Sequence, residues 1–214
     1  MGRPELREGL YLVTPDWTDT PLLAQRVAQA LTGRPALLQY RSKSLNPALR
    51  LEQARCLHRL CQEAGVPMII NDDLELLSAV GADGLHIGRD DGDPAALRTA
   101  LGDDLILGVS CYDDLARAVS AQAAGADYVA FGAVFPSSTK PNAVPASPEL
   151  LARARRELVC PVAAIGGITL PRAGEVVTAG AHLLAVISDV FEDPDPAARA
   201  ASYRHLWPAG SLPS

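Results

Sequence analysis

Three polar side chains with alternate spacing follow an apolar segment early in the chain. Gln39, Arg41 and Lys43 stand two residues apart, beginning with the last residue of the apolar run Ala36–Gln39. Because alternate residues of an extended backbone point to the same side, the spacing predicts that all three share one face. Arginine and lysine are the side chains that bind phosphate groups in proteins. Arg41 and Lys43 would also serve as ordinary surface cations, so their position in the fold decides between the two interpretations.

Lysine use in the chain is sparse and points the same way. The 19 basic residues include two lysines, Lys43 and Lys140. A chain that otherwise uses arginine can keep lysine where a compact ammonium charge is needed, as on phosphate. Chance from a biased genome would give the same count. Placing the lysines in the predicted fold favours a functional role, because Lys43 and Lys140 both follow strand ends and fall on one predicted face.

Two acidic residues complete a set suited to a polyphosphate. Asp72 and Asp91 each follow a short apolar run, and Mg²⁺ is typically held by one or two carboxylates together with substrate phosphates. Asp72 is available as a ligand because Asp73 is the better N-cap for the helix that follows. Asp90 and Asp93 are alternative candidates for this ligand position, and an ordinary solvated acid is an equally good interpretation of Asp91. The sequence therefore predicts a Mg²⁺ site at Asp72 and Asp91.

Small polar residues end several other apolar runs. Asn71 and Ser110 are neutral donors beside the predicted cations. Gly166–Gly167 allows close backbone approach, and Ser188 offers an N–H and a hydroxyl, as in the phosphate sites that follow the seventh and eighth strands of many barrels. A simple tight turn is the alternative for the glycine pair. We expect a second phosphate site there.

These residues are positioned by a repeated pattern of a short apolar run and a helical segment. The runs lack polar alternation, as buried parallel strands do. Glycines just past four of the helical segments are typical of left-handed C-terminal caps. We therefore predict one α/β domain over residues 1–214, a single (β/α)8 TIM barrel rather than an open doubly wound sheet, since the first turn lacks a Gly-rich fingerprint. The predicted strands are Leu10–Val13, Ala36–Gln39, Met68–Ile70, Leu85–Ile87, Ile106–Val109, Tyr128–Phe131, Val162–Ile165 and Leu183–Ile187, and the helices are Leu22–Leu31, Ala48–Ala64, Leu74–Val80, Ala95–Leu101, Asp114–Ala124, Pro148–Glu157, Pro171–Ala179 and Ala197–His205.

The segment 134–147 is longer than the other connections and is rich in proline and serine. It follows the sixth predicted strand, on the face where barrel enzymes carry their active sites. Long loops in compact domains are usually functional or disordered. We predict that this segment is an active-site lid.

Composition excludes several other classes. The chain has 214 residues, a net charge of −6 and a pI of about 5.2, which argues against nucleic-acid and anionic-membrane partners. Its four cysteines form no C-x-x-C pair, and its four histidines form no H-E-x-x-H motif. The N-terminal residues lack a signal-peptide pattern, so we expect a cytoplasmic protein. Oligomeric state is not readable from these features.

Taken in order along the chain, the motifs resemble those of the thiamine phosphate synthase family. Each motif is modest alone, but together they cover nearly the whole chain. The resemblance implies that hydroxymethylpyrimidine diphosphate and a thiazole phosphate are condensed to thiamine monophosphate and pyrophosphate. It is carried by Gly9-Leu10-Tyr11-Leu12-Val13-Thr14, Gln39-x-Arg41-x-Lys43, Ile69-Ile70-Asn71-Asp72, Gly81-Ala82-Asp83-Gly84-x-His86-x-Gly88, Gly108-Val109-Ser110, Phe131-Gly132-x-x-Phe135-Pro136-Ser137-x-Thr139-Lys140, Ile165-Gly166-Gly167-Ile168 and Ala185-Val186-Ile187-Ser188.

The resemblance also implies a role for each matching residue. In this family the pyrophosphate leaves first, and the thiazole nitrogen then attacks the pyrimidine cation. Such chemistry needs charge neutralisation, positioning and exclusion of water more than acid–base catalysis, and the sequence shows no obvious nucleophile–histidine pair. Gln39 would hold the pyrimidine; Arg41, Lys43, Ser110 and Lys140 would be catalytic and, with Asn71, would bind the diphosphate; Asp72 and Asp91 would hold Mg²⁺; Ser137, Thr139, Gly167, Ile187 and Ser188 would bind the thiazole phosphate.

The sequence departs from the family pattern at five positions. Only one of them, Ser137, is a predicted ligand, and its change is conservative. Ser42, Asp73, Arg89 and Tyr112 stand where the family usually has Glu, Arg, Gln and His, and Ser137 replaces the first Thr of the loop motif. The changes at Asp73 and Arg89 would add an anion and a cation near the metal site.

Other functions remain open at this point. A thiazole tautomerase on a similar barrel would not need the pyrophosphate and Mg²⁺ residues, and a silent phosphate-binding barrel would show no turnover. A Schiff-base aldolase would place its lysine within a strand in an apolar pocket, whereas Lys43 and Lys140 are flanked by Ser and Thr.

Overall fold

The computed structural model describes residues 4–135 and 146–207. Eight parallel strands, each hydrogen-bonded to the next and the last to the first, close into a barrel, which confirms the predicted (β/α)8 fold. The pattern of short apolar runs thus predicted the right fold class, because every strand is covered on both faces. The strands are β1 Gly9–Val13, β2 Leu37–Tyr40, β3 Met68–Asn71, β4 Gly84–Ile87, β5 Ile106–Tyr112, β6 Tyr128–Gly132, β7 Val162–Ile165 and β8 Leu183–Val186.

Helices surround the barrel, and local capping chemistry explains where many of them begin. Five of them carry proline in the first turn behind a side-chain N-cap that accepts a backbone N–H, as Asn46 does for Ala48 and Leu49. Among the described residues, no helix is both long and apolar enough to cross a membrane. The helices are α1 Thr20–Leu31, α2 Pro47–Ala64, α3 Leu74–Val80, α4 Pro94–Leu101, α5 Leu115–Ala123, α6 Pro148–Glu157, α7 Leu170–Thr178, α8 Ser188–Phe191 and α9 Pro196–Tyr203.

The differences from the predicted elements are local but bear on the site. β2 ends at Tyr40, so strand alternation does not extend to Arg41 and Lys43, and the same-face argument fails for them. β5 runs on to Tyr112 through a register shift against β6. A short helix, α8, begins directly after β8, which the apolar pattern does not predict.

Two apolar layers hold the structure together. Alternate strand residues fill the barrel interior, where Tyr11, Leu37, Ile69 and Tyr128 pack together. The residues between them point outward and pack against the helices, as Leu12 and Leu38 do. Because both faces of each strand are buried, the polar residues of the site are confined to the strand ends and to a few interior positions.

The N-terminal face of the barrel has a repeated stabilising contact. Asp83, Asp127 and His182 each precede an even-numbered strand, and their side chains accept the N–H of Met68, Leu107 and Val162 at 2.7–3.0 Å. In each contact, the backbone donor lies at or near the start of the preceding odd-numbered strand. The residue after the repeated Gly-Ala therefore serves stability rather than catalysis, as residues at this face usually do.

We expect His182 to make stability depend on pH. Burial, aided by Arg155, lowers the pKa of His182 from 6.5 to about 4, so its neutral ring accepts the Val162 N–H in the fold. The unfolded chain binds the proton more tightly, so this contribution is complete above about pH 6.5 and is lost as the pH falls towards 4. His182→Gln keeps an acceptor without titrating. In denaturant unfolding it should lose about 1 kcal/mol less stability than the parent between pH 7 and pH 5, allowing for partial solvation of the ring.

The matched control is His205→Gln, which changes an exposed histidine. Its loss of unfolding free energy between the two pH values should equal that of the parent protein. Equal pH dependence in the parent and His182→Gln would contradict the role assigned to the His182 ring.

Candidate active site

The end of β2 is held by the loop that follows β1. The Thr14 hydroxyl contacts both backbone groups of Arg41, at 2.9 Å to its N and 3.1 Å to its O. Asp16 accepts the Lys43 N–H at 2.8 Å. Arg41 and Lys43 therefore have a fixed backbone at the C-terminal face although they lie beyond the strand, and the Lys43 side chain is exposed there.

The two predicted metal ligands meet at the ends of neighbouring strands β3 and β4. The carboxyl groups of Asp72 and Asp91 are in hydrogen-bond contact, and Asn71 donates to Asp72 at 2.5 Å. Partial burial and the facing Asp91 raise the pKa of Asp72 to about 6, opposed by Asn71 and by Arg41. Two carboxylates forced together beside a cation are the oxygen donors that Mg²⁺ accepts from protein. The pair fits the predicted ion.

The rivals of Asp91 have other positions and contacts. Asp93 is the N-cap of α4, where its carboxylate accepts the Ala96 N–H at 3.1 Å. Asp90 is exposed. Asp91 is exposed as well, but its carboxylate folds back over the turn and accepts the Gly88 N–H at 3.0 Å. A Cβ at residue 88 would lie 2.6 Å from Asp91 Oδ2, so the missing side chain at Gly88 makes room for this carboxylate.

Two residues that depart from the family pattern near the predicted metal ligands, Asp73 and Arg89, have local partners. Asp73 forms an ion pair with Arg50 at 2.5 Å and caps α3 by accepting the Leu76 N–H at 2.8 Å. Arg89 lies over the ring of Tyr112, itself a departure from the family pattern, 4.8 Å from the ring centroid. The extra charges are thus engaged by local partners. Their effect on metal affinity stays a prediction.

Ser110 is placed by an irregularity in its strand. The register of β5 against β6 shifts between Ser110 and Tyr112, and Tyr112 has a φ of 58°. Such bulges next to active sites re-aim side chains. Arg117 fixes this segment by donating to the Ser110 carbonyl at 2.8 Å and to the Gly88 carbonyl at 3.0 Å, which joins the ends of β4 and β5.

Ser110 has a histidine partner, which the sequence did not reveal. His86 Nε2 lies 2.8 Å from Ser110 Oγ, a serine–histidine contact that spacing along the sequence does not show. The pair does not make a hydrolase-type nucleophile. Burial lowers the pKa of His86 to about 4, and the other ring nitrogen faces a tyrosine rather than a carboxylate. A base this weak leaves the serine hydroxyl protonated.

The serine–histidine pair belongs to a hydrogen-bonded chain across the barrel interior. Gln39 Nε2 donates to Tyr11 Oη at 2.6 Å, and Tyr11 Oη lies 2.6 Å from Tyr128 Oη. Tyr128 Oη is 2.9 Å from His86 Nδ1, and His86 leads on to Ser110. Sequence reasoning missed Tyr11, Tyr128 and His86. Strand alternation would have found them, because it turns these polar tips inward where each needs a partner.

The residues predicted for the second phosphate lie at the ends of adjacent strands β7 and β8. Gly166 and Gly167 have φ values of 110° and 61°, which favour glycine. Ile187 immediately follows β8, and Ser188 is exposed at the first position of α8. The structure thus brings these residues to one part of the rim. Three residues predicted for this face, Ser137, Thr139 and Lys140, lie outside the described residues.

The described parts of the chain contain no group of three or more His, Cys, Asp or Glu side chains arranged for a metal ion. The candidate Mg²⁺ site therefore consists of the two facing carboxylates, with substrate oxygens needed to complete it. All four cysteines are free.

Together, the closed parallel barrel and the cations, carboxylates and hydroxyls at its C-terminal face define an α/β-barrel enzyme. A family model described as thiamine monophosphate synthase matches residues 10–190. The chain is 63% identical over 207 residues to the thiamine-phosphate synthase of Aromatoleum aromaticum, covering 96% of this chain and 100% of that protein. The corresponding enzyme of an Azoarcus species is 61% identical, covering 93% and 97%.

Solved structures agree. The chain superposes on thiamine phosphate pyrophosphorylase from Pyrococcus furiosus with a TM-score of 0.83 at 29% identity, covering 94% of this chain and 96% of that one. It also shares its fold with orotidine 5′-phosphate decarboxylase from Pyrococcus horikoshii, at a TM-score of 0.67 and 16% identity over 92% and 98% of the two chains. This chain belongs to the thiamine monophosphate synthase family, and it is a transferase.

Proposed function

We propose that this enzyme condenses hydroxymethylpyrimidine diphosphate with a thiazole phosphate to give thiamine monophosphate and pyrophosphate. The observation that carries the proposal is the meeting of Asp72 and Asp91 beside Arg41 at adjacent strand ends, in a chain 63% identical to a thiamine-phosphate synthase. A pair of acids beside a cation suits a magnesium diphosphate better than a monophosphate alone. No comparison supports a tautomerase or a silent binding barrel.

The protein residues act mainly on the departing charge. Arg41, Lys43 and Lys140 supply cations to the diphosphate, and Asn71 and Ser110 supply neutral donors. Gln39 holds the pyrimidine from the barrel interior, where it is 4% exposed. Fixed donors need no reorganisation as the carbon–oxygen bond breaks, so the cation and the pyrophosphate form in a site already arranged for both.

Asp72 and Asp91 would hold Mg²⁺. When bound there, the ion supplies charge stabilisation to the diphosphate oxygens. Asn71 holds the Asp72 carboxyl through its 2.5 Å contact, and the Gly88 N–H holds Asp91. These contacts orient the two oxygen donors before substrate arrives.

The thiazole phosphate is assigned to the other half of the rim, at Gly167, Ile187 and Ser188, with Ser137 and Thr139 from the loop 134–147. This loop would act as a lid that excludes water from the pyrimidine cation. A single domain over residues 1–214 and a cytoplasmic location complete the proposal.

A coupling assay tests the function directly. Purified protein is incubated with both substrates and Mg²⁺, and thiamine monophosphate and pyrophosphate are measured. We expect equal amounts of the two products, and neither product when one substrate is omitted. Isomerisation of the thiazole phosphate alone, or binding without turnover, would contradict the proposed reaction.

A substitution at Ser188 tests the second subsite. Gly167 is a poor test position, because its φ of 61° strains any side chain. Ser188→Ala removes one exposed hydroxyl at the first position of α8. We expect the KM for the thiazole phosphate to rise about tenfold, as for a lost hydrogen bond to a charged group, with the KM for the pyrimidine diphosphate within about twofold. Equal changes in the two KM values would place the phosphate elsewhere.

A further inference from the structure

The hydrogen-bonded chain from Gln39 to Ser110 is an unusual filling for a barrel interior. Branched aliphatic residues dominate such interiors and pack without polar atoms. Here Tyr11 is 1% exposed and Tyr128 is fully buried, and each carries a hydroxyl at the centre of the barrel. A buried hydroxyl is costly unless it is hydrogen-bonded, and apolar side chains would avoid the cost altogether. We therefore expect this series of hydrogen bonds to have a role other than stability.

The backbone makes room for this chain. A Cβ at Gly108 would lie 2.1 Å from Tyr128 Cζ and 2.3 Å from its hydroxyl. Glycine at this position of β5 therefore allows the Tyr128 ring to reach its partners, at the usual cost of glycine within a strand. The rings of Tyr128 and His86 stack with centroids 5.5 Å apart, and the Tyr11 ring meets Tyr128 edge-on at 5.7 Å. Their positions are fixed by packing.

Counting the hydrogens that each group can donate fixes which group is the donor in each hydrogen bond of this series. Each hydroxyl has one hydrogen to donate. Because Gln39 donates to Tyr11, the Tyr11 hydrogen is free for Tyr128, and the Tyr128 hydrogen is then free for His86 Nδ1.

The same count continues through the imidazole. A neutral histidine carries one hydrogen, and a ring that accepts at Nδ1 donates at Nε2. His86 is buried, and its two ring nitrogens face the hydroxyls of Tyr128 and Ser110 rather than a carboxylate, which favours the neutral ring. His86 Nε2 then donates to Ser110 Oγ, at 2.8 Å. The hydrogen of Ser110 is left over and can be given to a ligand.

We propose that Tyr11 and Tyr128 are positioning residues that transmit the donor direction of the Gln39 amide through His86, so that the Ser110 hydroxyl is presented as a donor to the pyrophosphate group. In the opposite direction, Ser110 would donate to His86 and present only lone pairs to an anion. The role rests on the proposed function for its ligand. The direction of the chain itself can be measured without any substrate.

The first test is the tautomer of His86 in the ligand-free enzyme. Nitrogen-15 NMR of labelled protein at neutral pH distinguishes a protonated Nε2 from a protonated Nδ1. We expect His86 to carry its hydrogen on Nε2. A hydrogen on Nδ1, or a doubly protonated ring, would overturn the proposal whether or not the protein makes thiamine monophosphate.

The second test measures binding of inorganic pyrophosphate with Mg²⁺ by calorimetry. Tyr11→Phe removes a hydroxyl whose hydrogen-bond partners are Gln39 and Tyr128, and it thereby frees these two residues to reverse the series of hydrogen bonds. We expect it to weaken pyrophosphate binding three- to tenfold and to move part of the His86 population to the Nδ1 form. Tyr128→Phe should have an effect at least as large. Tyr40→Phe is the matched control, since its buried hydroxyl bonds Gln53 at 2.9 Å outside the barrel interior.

A double-mutant cycle separates transmission from damage. In a Ser110→Ala background, Tyr11→Phe should no longer change the affinity for pyrophosphate, because the hydroxyl that it orients is absent. The same loss of affinity in both backgrounds would show general disruption. Lower stability with unchanged pyrophosphate affinity and an unchanged tautomer would show a purely structural chain. Either result would overturn the proposal.

Discussion

Lys140→Ala should lower kcat about 10²- to 10³-fold, while the free energy of unfolding changes by less than about 0.5 kcal/mol. The physical reason is the loss of a compact positive charge that meets the departing pyrophosphate in a water-excluded site. The residue is assigned by its motif and by the scarcity of lysine, which the chain uses at only two positions. Steady-state kinetics with both substrates and denaturant unfolding measure the two quantities.

Two variants control this experiment. Lys140→Arg keeps the charge and should recover part of the lost rate, but not all, because a planar guanidinium differs in shape from an ammonium group. Arg153→Ala removes an exposed cation that pairs with Glu157 at 3.2 Å on α6, and it should leave kcat unchanged. Turnover of Lys140→Ala near the parent value would remove Lys140 from the proposed mechanism.

Activity should depend absolutely on Mg²⁺, and Asp91→Asn should raise the Mg²⁺ concentration needed for half-maximal rate about tenfold or more. If Asp72 and Asp91 hold the ion as proposed, removing one ligand charge would weaken its binding. Asparagine is a suitable replacement because its side-chain oxygen can still accept the Gly88 N–H that Asp91 accepts at 3.0 Å. The pyrimidine diphosphate should strengthen metal binding by adding oxygen ligands, and the thiazole phosphate should have little effect.

Asp90→Asn is the matched control, since it makes the same chemical change one residue away, at a position that is exposed as Asp91 is. Its Mg²⁺ dependence should equal that of the parent enzyme. A larger effect at Asp90 than at Asp91 would show that the wrong ligand was chosen. Full activity in excess chelator would show that no metal is used.

The departures from the family pattern illustrate why sequence differences need a structure for their interpretation. Along the chain, Asp73 and Arg89 each look like a new charge beside the metal ligands. In space, Asp73 pairs with Arg50 of α2, and Arg89 lies on Tyr112 of β5. The partner in each case is more than 20 positions away, so spacing within a motif carries no information about it.

The barrel itself was determined by local features of the sequence. Short apolar runs define strands that are buried on both faces, and glycines such as Gly65 and Gly81 end helices in the left-handed conformation, with φ values of 66° and 71°. Asp73 as an N-cap followed from the same local chemistry, and the structure confirms it. Strand ends of a closed parallel barrel share one face, so the sequence also brought Asp72, Asp91 and Arg41 to one rim.

Contacts between distant strands were decided only by the tertiary structure. Tyr11 and Tyr128 are 117 positions apart, and nothing in their local sequence states that their hydroxyls lie 2.6 Å from each other. The space for that contact depends on a glycine in a third strand, Gly108. Periodicity shows which way a side chain points, but the partner that it meets depends on the closure, stagger and packing of the whole barrel.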